Sequence, residues 1–223
     1  MEHSPDAVAT IVSRLRRRYP QSRTALGFET PFQILVATIL AAQCTDERVN
    51  TLTPALFRRY PTIEAFASAD REELERMIRP AGFFRNKAKH IVGSARVVVE
   101  RFGGRVPGTM TDLLTLPGVA RKTANIVLSA AFARSEGIAV DTHVRRIAGR
   151  LGLSARKNPD GIERDLMALI PEKDWLDFNF MVVEFGREIC PARKPRCPEC
   201  PLRDLCPSAG AAAERKLFGE KRP

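Results

Sequence analysis

The sequence predicts an all-α protein. Apolar residues recur at intervals of three and four along most of the chain, which is the spacing of one face of a helix. Helix start signals precede several of these stretches, as at Ser4-Pro5 and Thr30-Pro31. No segment alternates apolar and polar residues for long, so little sheet is expected. The 223 residues suffice for one large domain or two smaller lobes.

The predicted helices follow one another along the chain. Their apolar faces span residues 8–15, 32–40, 49–57, 74–78, 91–99, 124–131, 144–151, 162–170 and 175–185. Pro54 is expected to kink or shorten the third helix. Asp70 and Glu73 form a capping box ahead of the fourth. Gly152 is expected to end the helix that covers 144–151.

The composition indicates a basic protein without a membrane span. Lys and Arg outnumber Asp and Glu by 36 to 26, which gives a net charge of +10. Such a surplus favours a polyanion such as DNA or RNA, because neutralised phosphates release counterions. No apolar run is long enough for a transmembrane helix, and the N-terminus lacks a signal-peptide pattern. A reducing, cytoplasmic location is therefore expected, where clustered cysteines favour a metal site over disulfides.

A tight turn joins two of the predicted helices at residues 116–120, which we call the hairpin. Backbone N–H groups at such a helix start can bind one phosphate. The predicted contacts are Gly118, Val119, Ala120 and Arg121. A plain helix–helix turn is the alternative. Ala120 would be strained if its site needs a positive φ, whereas a helical conformation there would cost nothing.

Two side chains beside these helix starts are candidates for catalysis. Lys122 falls in the first turn after the hairpin, where the helix dipole and Arg121 disfavour a charged amine. Asp141 precedes a helix and can serve as its N-cap, as the base for Lys122, or as a carboxylate that stabilises a developing positive charge. A carboxylate near Lys122 would oppose the dipole by favouring the charged amine. His143 is expected to be a polar residue at the helix start, near phosphate.

Four cysteines near the C-terminus have the pattern C-x6-C-x2-C-x5-C. They are Cys190, Cys197, Cys200 and Cys206. The spacing favours a [4Fe–4S] cluster, with structural zinc as the alternative. Arg193 and Lys194 lie on a proline-flanked basic loop that can contact phosphate or simply be solvated. Cys44 is remote from the four and is expected to pack as a small apolar residue.

Four motifs, taken together in this order, resemble the endonuclease III family of helix-hairpin-helix DNA glycosylases. They are AQCTD at residues 42–46, LPGVARKTAN at 116–125, VDTHVRRIAGRLGL at 140–153 and the cysteine array. The resemblance covers roughly residues 20–207. It implies a two-lobed glycosylase fold, with a six-helix barrel lobe and an iron–sulfur cluster lobe.

The resemblance also implies boundaries for the two lobes. The barrel lobe is expected at residues 24–134, and the cluster lobe at 1–23 with 135–207. The loop at 133–137 is a candidate hinge. Residues 208–223, which lack a sustained apolar face, are expected to form a loosely ordered tail.

The activity implied is that of a bifunctional DNA glycosylase and AP lyase of base excision repair. Lys122 would attack C1′ of a damaged pyrimidine nucleotide in duplex DNA and form a Schiff base, and β-elimination would nick the strand. Asp141 would be the activating carboxylate. The four cysteines would hold a [4Fe–4S] cluster that serves structure and DNA binding. A monomer that acts on damaged or abasic DNA at the nucleoid is expected.

Two residues match the positions that the family uses to open the duplex. A damaged base must leave the stack, at a cost of a few kcal/mol, before an enzyme can reach it. Gln43 matches the residue that fills the vacated space. Phe83 falls where the family has a smaller, aliphatic wedge, although ordinary burial in the core is an equal alternative.

Three rival interpretations are less well supported. A monofunctional mismatch adenine glycosylase typically lacks the hairpin lysine and has a further C-terminal domain. A non-catalytic iron–sulfur DNA-binding protein would have no need for both Lys122 and Asp141. A zinc-binding module would be colourless, whereas an iron–sulfur protein is yellow-brown.

Overall fold

The computed structural model describes residues 4–209. Every regular element in that range is helical, and no strand occurs there, which confirms the all-α prediction. The chain forms two compact units. The central unit runs without interruption from Thr24 to Glu136, and the terminal unit combines the residues up to Arg23 with those from Gly137 onward. Most of the predicted tail, residues 210–223, lies outside the described range.

The helices of residues 4–209 include those that the periodicity predicts and two short ones, at Ile63–Ala67 and Met110–Leu113, that it missed. In chain order they are α1 (Pro5–Arg18), α2 (Pro31–Leu40), α3 (Asp46–Arg59), α4 (Ile63–Ala67), α5 (Arg71–Ile78), α6 (Phe84–Phe102), α7 (Met110–Leu113), α8 (Arg121–Phe132), α9 (Thr142–Leu151), α10 (Pro159–Leu169) and α11 (Glu172–Glu188), with 3₁₀ turns at Arg79–Ala81, Cys197–Glu199 and Arg203–Leu205. Pro54 lies inside α3 without ending it, and Gly152 caps the end of α9 as predicted. Within the described part of the chain, no helix is both long and apolar enough to cross a membrane.

Most of these helices begin at a side chain that accepts a hydrogen bond from the first turn. The caps of α1, α2, α3, α4, α5, α7, α9 and α10 are Ser4, Thr30, Thr45, Thr62, Asp70, Thr109, Asp141 and Asn158. In the central unit, α6 and α8 lack a capping side chain and start after Phe83 and Ala120. Their first turns therefore keep N–H groups that no cap side chain satisfies.

The core of the central unit is built around α2 and an aromatic cluster. Eight of the ten residues of α2 are buried. The ring of Phe66 lies 5.4 Å from that of Phe32 and 5.1 Å from that of Tyr60, centroid to centroid. Glu73 ties α5 to the end of α3 by accepting hydrogen bonds from Arg59 and from the Tyr60 hydroxyl. These contacts join α2, α4, α5 and the end of α3 in one core.

The terminal unit brings the first helix of the chain against the last. The apolar face of α1 packs with those of α9, α10 and α11 in one core. Arg16 on α1 pairs with the buried Asp174 of α11 at 2.9 Å. Arg14 donates to the carbonyl of Pro201 at 2.8 Å and pairs with Asp204. Helix α1 is therefore anchored to the segment that carries the cysteines.

Candidate functional site

The hairpin of the central unit turns at Gly118. This glycine has a φ of 77°, and a Cβ there would lie 2.5 Å from the His90 ring. The N–H of Val119 donates to the carbonyl of Leu116 at 3.2 Å and closes the turn. Both the left-handed backbone and the close approach of α6 therefore require glycine at this position.

Two hairpin residues differ from what the sequence led us to expect. Ala120 has a φ of −102° and a ψ of 170°, an extended conformation that is neither left-handed nor helical and is unstrained for alanine. Val119 is 8% exposed and packs in the core of the central unit. Its side chain cannot contact DNA, and its N–H is already bonded. Gly118 and Ala120 are the exposed members of the turn.

Lys122 is the second residue of α8 and is exposed. It therefore lies in the first turn, as predicted. Because α8 has no capping side chain, its first-turn N–H groups and its dipole attract an anion beside this amine. Arg121, the first residue of the helix, is half-buried. The start of α8 thus combines first-turn N–H groups that no cap side chain satisfies with an exposed primary amine.

Gln43 and Phe83 share a backbone conformation that is rare outside glycine. Their φ values are 54° and 47°, in the left-handed region, and both residues are exposed. Holding a non-glycine residue there costs about 1 to 2 kcal/mol. The Phe83 side chain is 63% exposed, so the alternative that it belongs to the core is wrong. A left-handed, exposed aromatic residue is better explained by a binding role than by packing.

Lys87 is a residue that the sequence interpretation missed. It lies on α6 and is only 4% exposed. Its Nζ donates to the carbonyls of Leu40 and Ala81, each at 2.8 Å. Burial lowers the pKa of Lys87. The spacing of Phe83, Lys87 and His90, which repeats at four and three residues, was the signal that could have placed Lys87 on the face of α6 that supports the loops.

In the terminal unit, Asp141 caps α9. Its Oδ1 accepts a hydrogen bond from the N–H of Val144 at 2.8 Å, which confirms the capping interpretation. His143 is half-buried, and its Nδ1 lies 3.1 Å from Nη2 of Arg146. A Cβ on Gly186 of α11 would come within 2.7 Å of the same Nδ1. Since arginine can only donate, Nδ1 of His143 is the acceptor of this hydrogen bond.

Two arginines on α9 hold the start of the cysteine segment. Arg146 donates to the carbonyls of Gly186 and Cys190, each at 3.1 Å. Arg150 donates to the Sγ of Cys190 at 3.0 Å and to the carbonyls of Pro191 and Ala192, the former at 2.8 Å. Burial and the neighbouring Arg150 lower the pKa of Arg146. The helix that Asp141 caps is therefore bonded directly to the cysteine loop.

The four predicted cysteine ligands line one cavity of about 410 Å³. Apolar side chains of α9 and α11 form much of its wall. Burial raises the pKa values of the Cys200 and Cys206 thiols, and the N–H of Leu202 donates to the Sγ of Cys200 at 3.4 Å. Among residues 4–209, no three His, Cys, Asp or Glu side chains are gathered closely enough to hold a single ion. Four thiols around a cavity suit a cluster better than one central ion.

The basic loop and the fifth cysteine complete the predicted set. Arg193 and Lys194 are both exposed, and Lys194 has a φ of 53°. Cys44 is half-buried and packs against the core of the central unit, as predicted. Gln43 and Phe83 thus lie in the central unit with the hairpin, whereas His143 and the basic loop lie in the terminal unit with the cysteines.

Comparisons with known proteins assign the family. Residues 36–172, more than half of the chain, match the HhH-GPD superfamily of base excision DNA repair proteins. The chain belongs to this family. Endonuclease III of Synechocystis sp. is 57% identical over 198 residues, which cover 89% of this chain and 90% of that protein. Endonuclease III of Escherichia coli is 38% identical, over 88% of this chain and 92% of that protein.

A solved structure of a trapped endonuclease III–DNA covalent intermediate superposes with a TM-score of 0.89 and 37% identity, over 95% of this chain and 100% of that one. The predicted resemblance to the endonuclease III family and the predicted helix-hairpin-helix glycosylase fold are therefore confirmed. This HhH-GPD protein is a bifunctional DNA glycosylase and AP lyase of base excision repair, and DNA is its partner. Iron–sulfur clusters are typical of the family.

Proposed function

We propose that the protein removes oxidised pyrimidines from duplex DNA, with Lys122 as the nucleophile. The observation that carries this assignment is the exposed amine in the first turn of α8, directly after the hairpin. A phosphate bound by the N–H groups of this turn would place the sugar of the damaged nucleotide near Nζ. Gly118, Ala120 and Arg121 are the residues proposed to make that phosphate contact.

The proposed reaction proceeds through a covalent intermediate. Neutral Nζ of Lys122 forms a bond to C1′ while the bond from C1′ to the base breaks, and the base leaves with a proton. Opening of the sugar ring gives a Schiff base between Nζ and C1′. Loss of a proton from C2′ then breaks the bond from C3′ to its phosphate oxygen and nicks the strand. Water releases the lysine from the unsaturated sugar.

Asp141 is proposed to assist this step as a carboxylate. Its Oδ1 is used by the cap. The cap fixes the carboxyl group, so that Oδ2 could accept the lysine proton or stabilise positive charge on the sugar. A carboxylate that is already fixed needs no reorganisation during the reaction.

The four cysteines are proposed to hold a [4Fe–4S] cluster. Their common cavity, the soft thiol donors and the hydrogen bonds that Arg150 and Leu202 donate to sulfur support this assignment. When bound, the cluster would stabilise the terminal unit and shape its basic loop. The proposed lobes are those expected from the sequence, residues 24–134 and residues 1–23 with 135–207.

Further DNA contacts are proposed on both units. Gln43 would fill the space left by the flipped base, Phe83 would act as the wedge, and His143 would approach phosphate. Arg193 and Lys194 would contact the backbone. Replacing both by alanine should weaken duplex binding and flatten the dependence of affinity on salt by roughly two counterions. An unchanged slope would remove this loop from the interface. A monomer that acts at the nucleoid is consistent with these contacts.

Borohydride trapping tests the proposed function. Duplexes with thymine glycol or an abasic site are mixed with the protein, and borohydride reduces any Schiff base to a stable amine. We expect a covalent protein–DNA band on both duplexes, lost in Lys122→Ala and kept in Lys89→Ala, which removes an exposed lysine of α6. A band that persists in Lys122→Ala would reject Lys122 as the nucleophile. No band with the unaltered protein, despite DNA binding, would reject the lyase mechanism.

A further inference from the structure

Two exposed loops of the central unit are attached to one buried amine. Nζ of Lys87 donates to the carbonyl of Leu40, the last residue of α2, and to that of Ala81, the last residue of the 3₁₀ turn before α6. The two distances are both 2.8 Å. These carbonyls mark the points at which the backbone leaves helical structure and enters the two loops.

Each loop presents its left-handed residue a short distance from this anchor. Gln43 follows Leu40 by three residues, and Phe83 follows Ala81 by two. The backbone N–H of Lys87 also donates to the carbonyl of Phe83 at 3.1 Å. Lys87 is therefore bonded on both sides of the Phe83 loop and at the base of the Gln43 loop.

We propose that Lys87 is a positioning residue that fixes the spacing between the Gln43 loop and the Phe83 loop, so that both side chains enter the DNA stack together. The inference rests on the proposed roles of Gln43 and Phe83 as plug and wedge. Lys87 itself does not touch DNA, because it is buried beneath the loops. Its effect is transmitted through two peptide carbonyls.

A buried lysine is a poor choice if filling space were the only requirement. An ammonium group loses its hydration on burial and is retained only where hydrogen bonds compensate it. Methionine would fill nearly the same volume, but it would leave two carbonyls without a donor. What lysine supplies is one charged donor that bonds two separate segments at once. That property matters where two loops must keep a fixed spacing.

The decisive measurement compares duplex DNA with single-stranded DNA. Plug and wedge residues are needed only when a base stack must be opened and refilled. Lys87→Met is therefore expected to slow the release of thymine glycol from a duplex by about tenfold or more. Cleavage at an abasic site in single-stranded DNA should stay within about threefold of the unaltered protein. Lys89→Met removes an exposed lysine of the same helix and should change neither rate.

A variant series tests whether Lys87 acts through the two loops. In a protein that already carries Gln43→Ala and Phe83→Ala, adding Lys87→Met should slow the duplex reaction by less than about twofold. If Lys87 acts only through these two side chains, the effects of the three substitutions on the rate are not additive. Equal losses in both backgrounds would show that Lys87 acts independently of the loops. Equal losses on duplex and single-stranded DNA would show a general loss of structure. Either result would overturn the proposal.

A second variant covers the case in which Lys87→Met does not fold. Lys87→Gln retains an N–H donor, although on a shorter side chain, and it should lie between Met and Lys in duplex activity while keeping single-strand cleavage. Two results would contradict the positioning role of Lys87. One is duplex activity of Lys87→Gln equal to that of the unaltered protein; the other is an equal loss of activity on duplex and single-stranded DNA. Trapping of the unaltered protein tests the proposed function separately, since a failed Schiff base concerns Lys122 and not Lys87.

Discussion

The hydroxyl of Ser94 donates a hydrogen bond to the carbonyl of Pro117 at 2.8 Å. Ser94 is fully buried on α6, and Pro117 is the residue that enters the hairpin turn. One helical turn earlier on α6, the His90 ring occupies the space that a Cβ on Gly118 would need. Helix α6 therefore fixes the position from which α8 starts, and with it the position of Lys122.

Removal of that hydroxyl is expected to loosen the hairpin. Ser94→Ala leaves the half-buried carbonyl of Pro117 without its side-chain donor, which should lower the free energy of unfolding by about 0.5 to 1.5 kcal/mol. Affinity for abasic-site DNA should fall several-fold. Ser68→Ala removes a comparable hydroxyl-to-carbonyl bond at an exposed site of the same unit. Denaturant unfolding and DNA titration of both variants check this, and equal effects would mean that the hairpin does not depend on Ser94.

Replacing Gly118 and replacing Gly149 by alanine should have opposite effects on the free energy of unfolding. Gly118→Ala forces a left-handed alanine and a clash with His90, so unfolding should become easier by about 2 kcal/mol or more. Gly149→Ala, in the helical interior of α9 with open space around it, should stabilise the protein by about 0.5 to 1 kcal/mol. Thermal unfolding measures both. His90→Ala should relieve only the steric part of the Gly118→Ala loss, and full relief would contradict a backbone cause.

Asp141→Asn separates capping from catalysis. Asparagine caps helices about as well as aspartate, so the free energy of unfolding should change by less than about 1 kcal/mol. Single-turnover release of the damaged base should nevertheless fall strongly, because the carboxylate charge is lost. Calorimetry gives the change in unfolding free energy, and a quenched-reaction time course on the same preparation gives the single-turnover rate of base release. Near-normal turnover would make Asp141 a structural cap alone.

Local signals in the sequence predicted the helix starts. The positions of Lys87 and Phe83 depend instead on tertiary packing, which local signals do not report. Ser4, Thr30 and Asp141 could be recognised as caps because their hydrogen bonds reach only three residues along the chain. Lysine is rarely buried, so the helical spacing of Lys87 with Phe83 and His90 was the only sequence signal of its position, and it was outweighed by residue type. Its environment depends on a carbonyl 47 residues away. Phe83 was equally ambiguous, because an aromatic residue next to a helix is usually core.

Arg150→Met is expected to weaken retention of the proposed cluster. The variant loses the donor to the Sγ of Cys190 and the bonds to the loop behind it. In the presence of an iron chelator, absorbance at about 400 nm, which is typical of iron–sulfur centres, should decay several-fold faster in the variant than in the unaltered protein. Arg145→Met, an exposed arginine of the same helix, is the control. Decay at the control rate would indicate that the cluster is held by its cysteines alone.

The stability of the terminal unit should depend on pH through Asp165. The Ser154 hydroxyl and the Arg156 guanidinium hold the pKa of the Asp165 carboxyl below its ordinary value. A lowered carboxyl pKa adds stability above the ordinary value of about 3.9, and that stability is lost as the pH falls through the folded-state pKa. The difference in unfolding free energy between the unaltered protein and Asp165→Asn should therefore shrink on acidification. A difference that stays constant with pH would exclude the Asp165 contacts as its source.

The order in which the two units can form follows from the uninterrupted run of Thr24–Glu136 between the two parts of the terminal unit. On the ribosome, the central unit is synthesised whole, whereas Arg14 must wait for Asp204, 190 residues later. At about 5 to 20 residues per second, that wait lasts about 10 to 40 s. During synthesis, the apolar face of α1 therefore stays without its core partners until α9, α10 and α11 have been made.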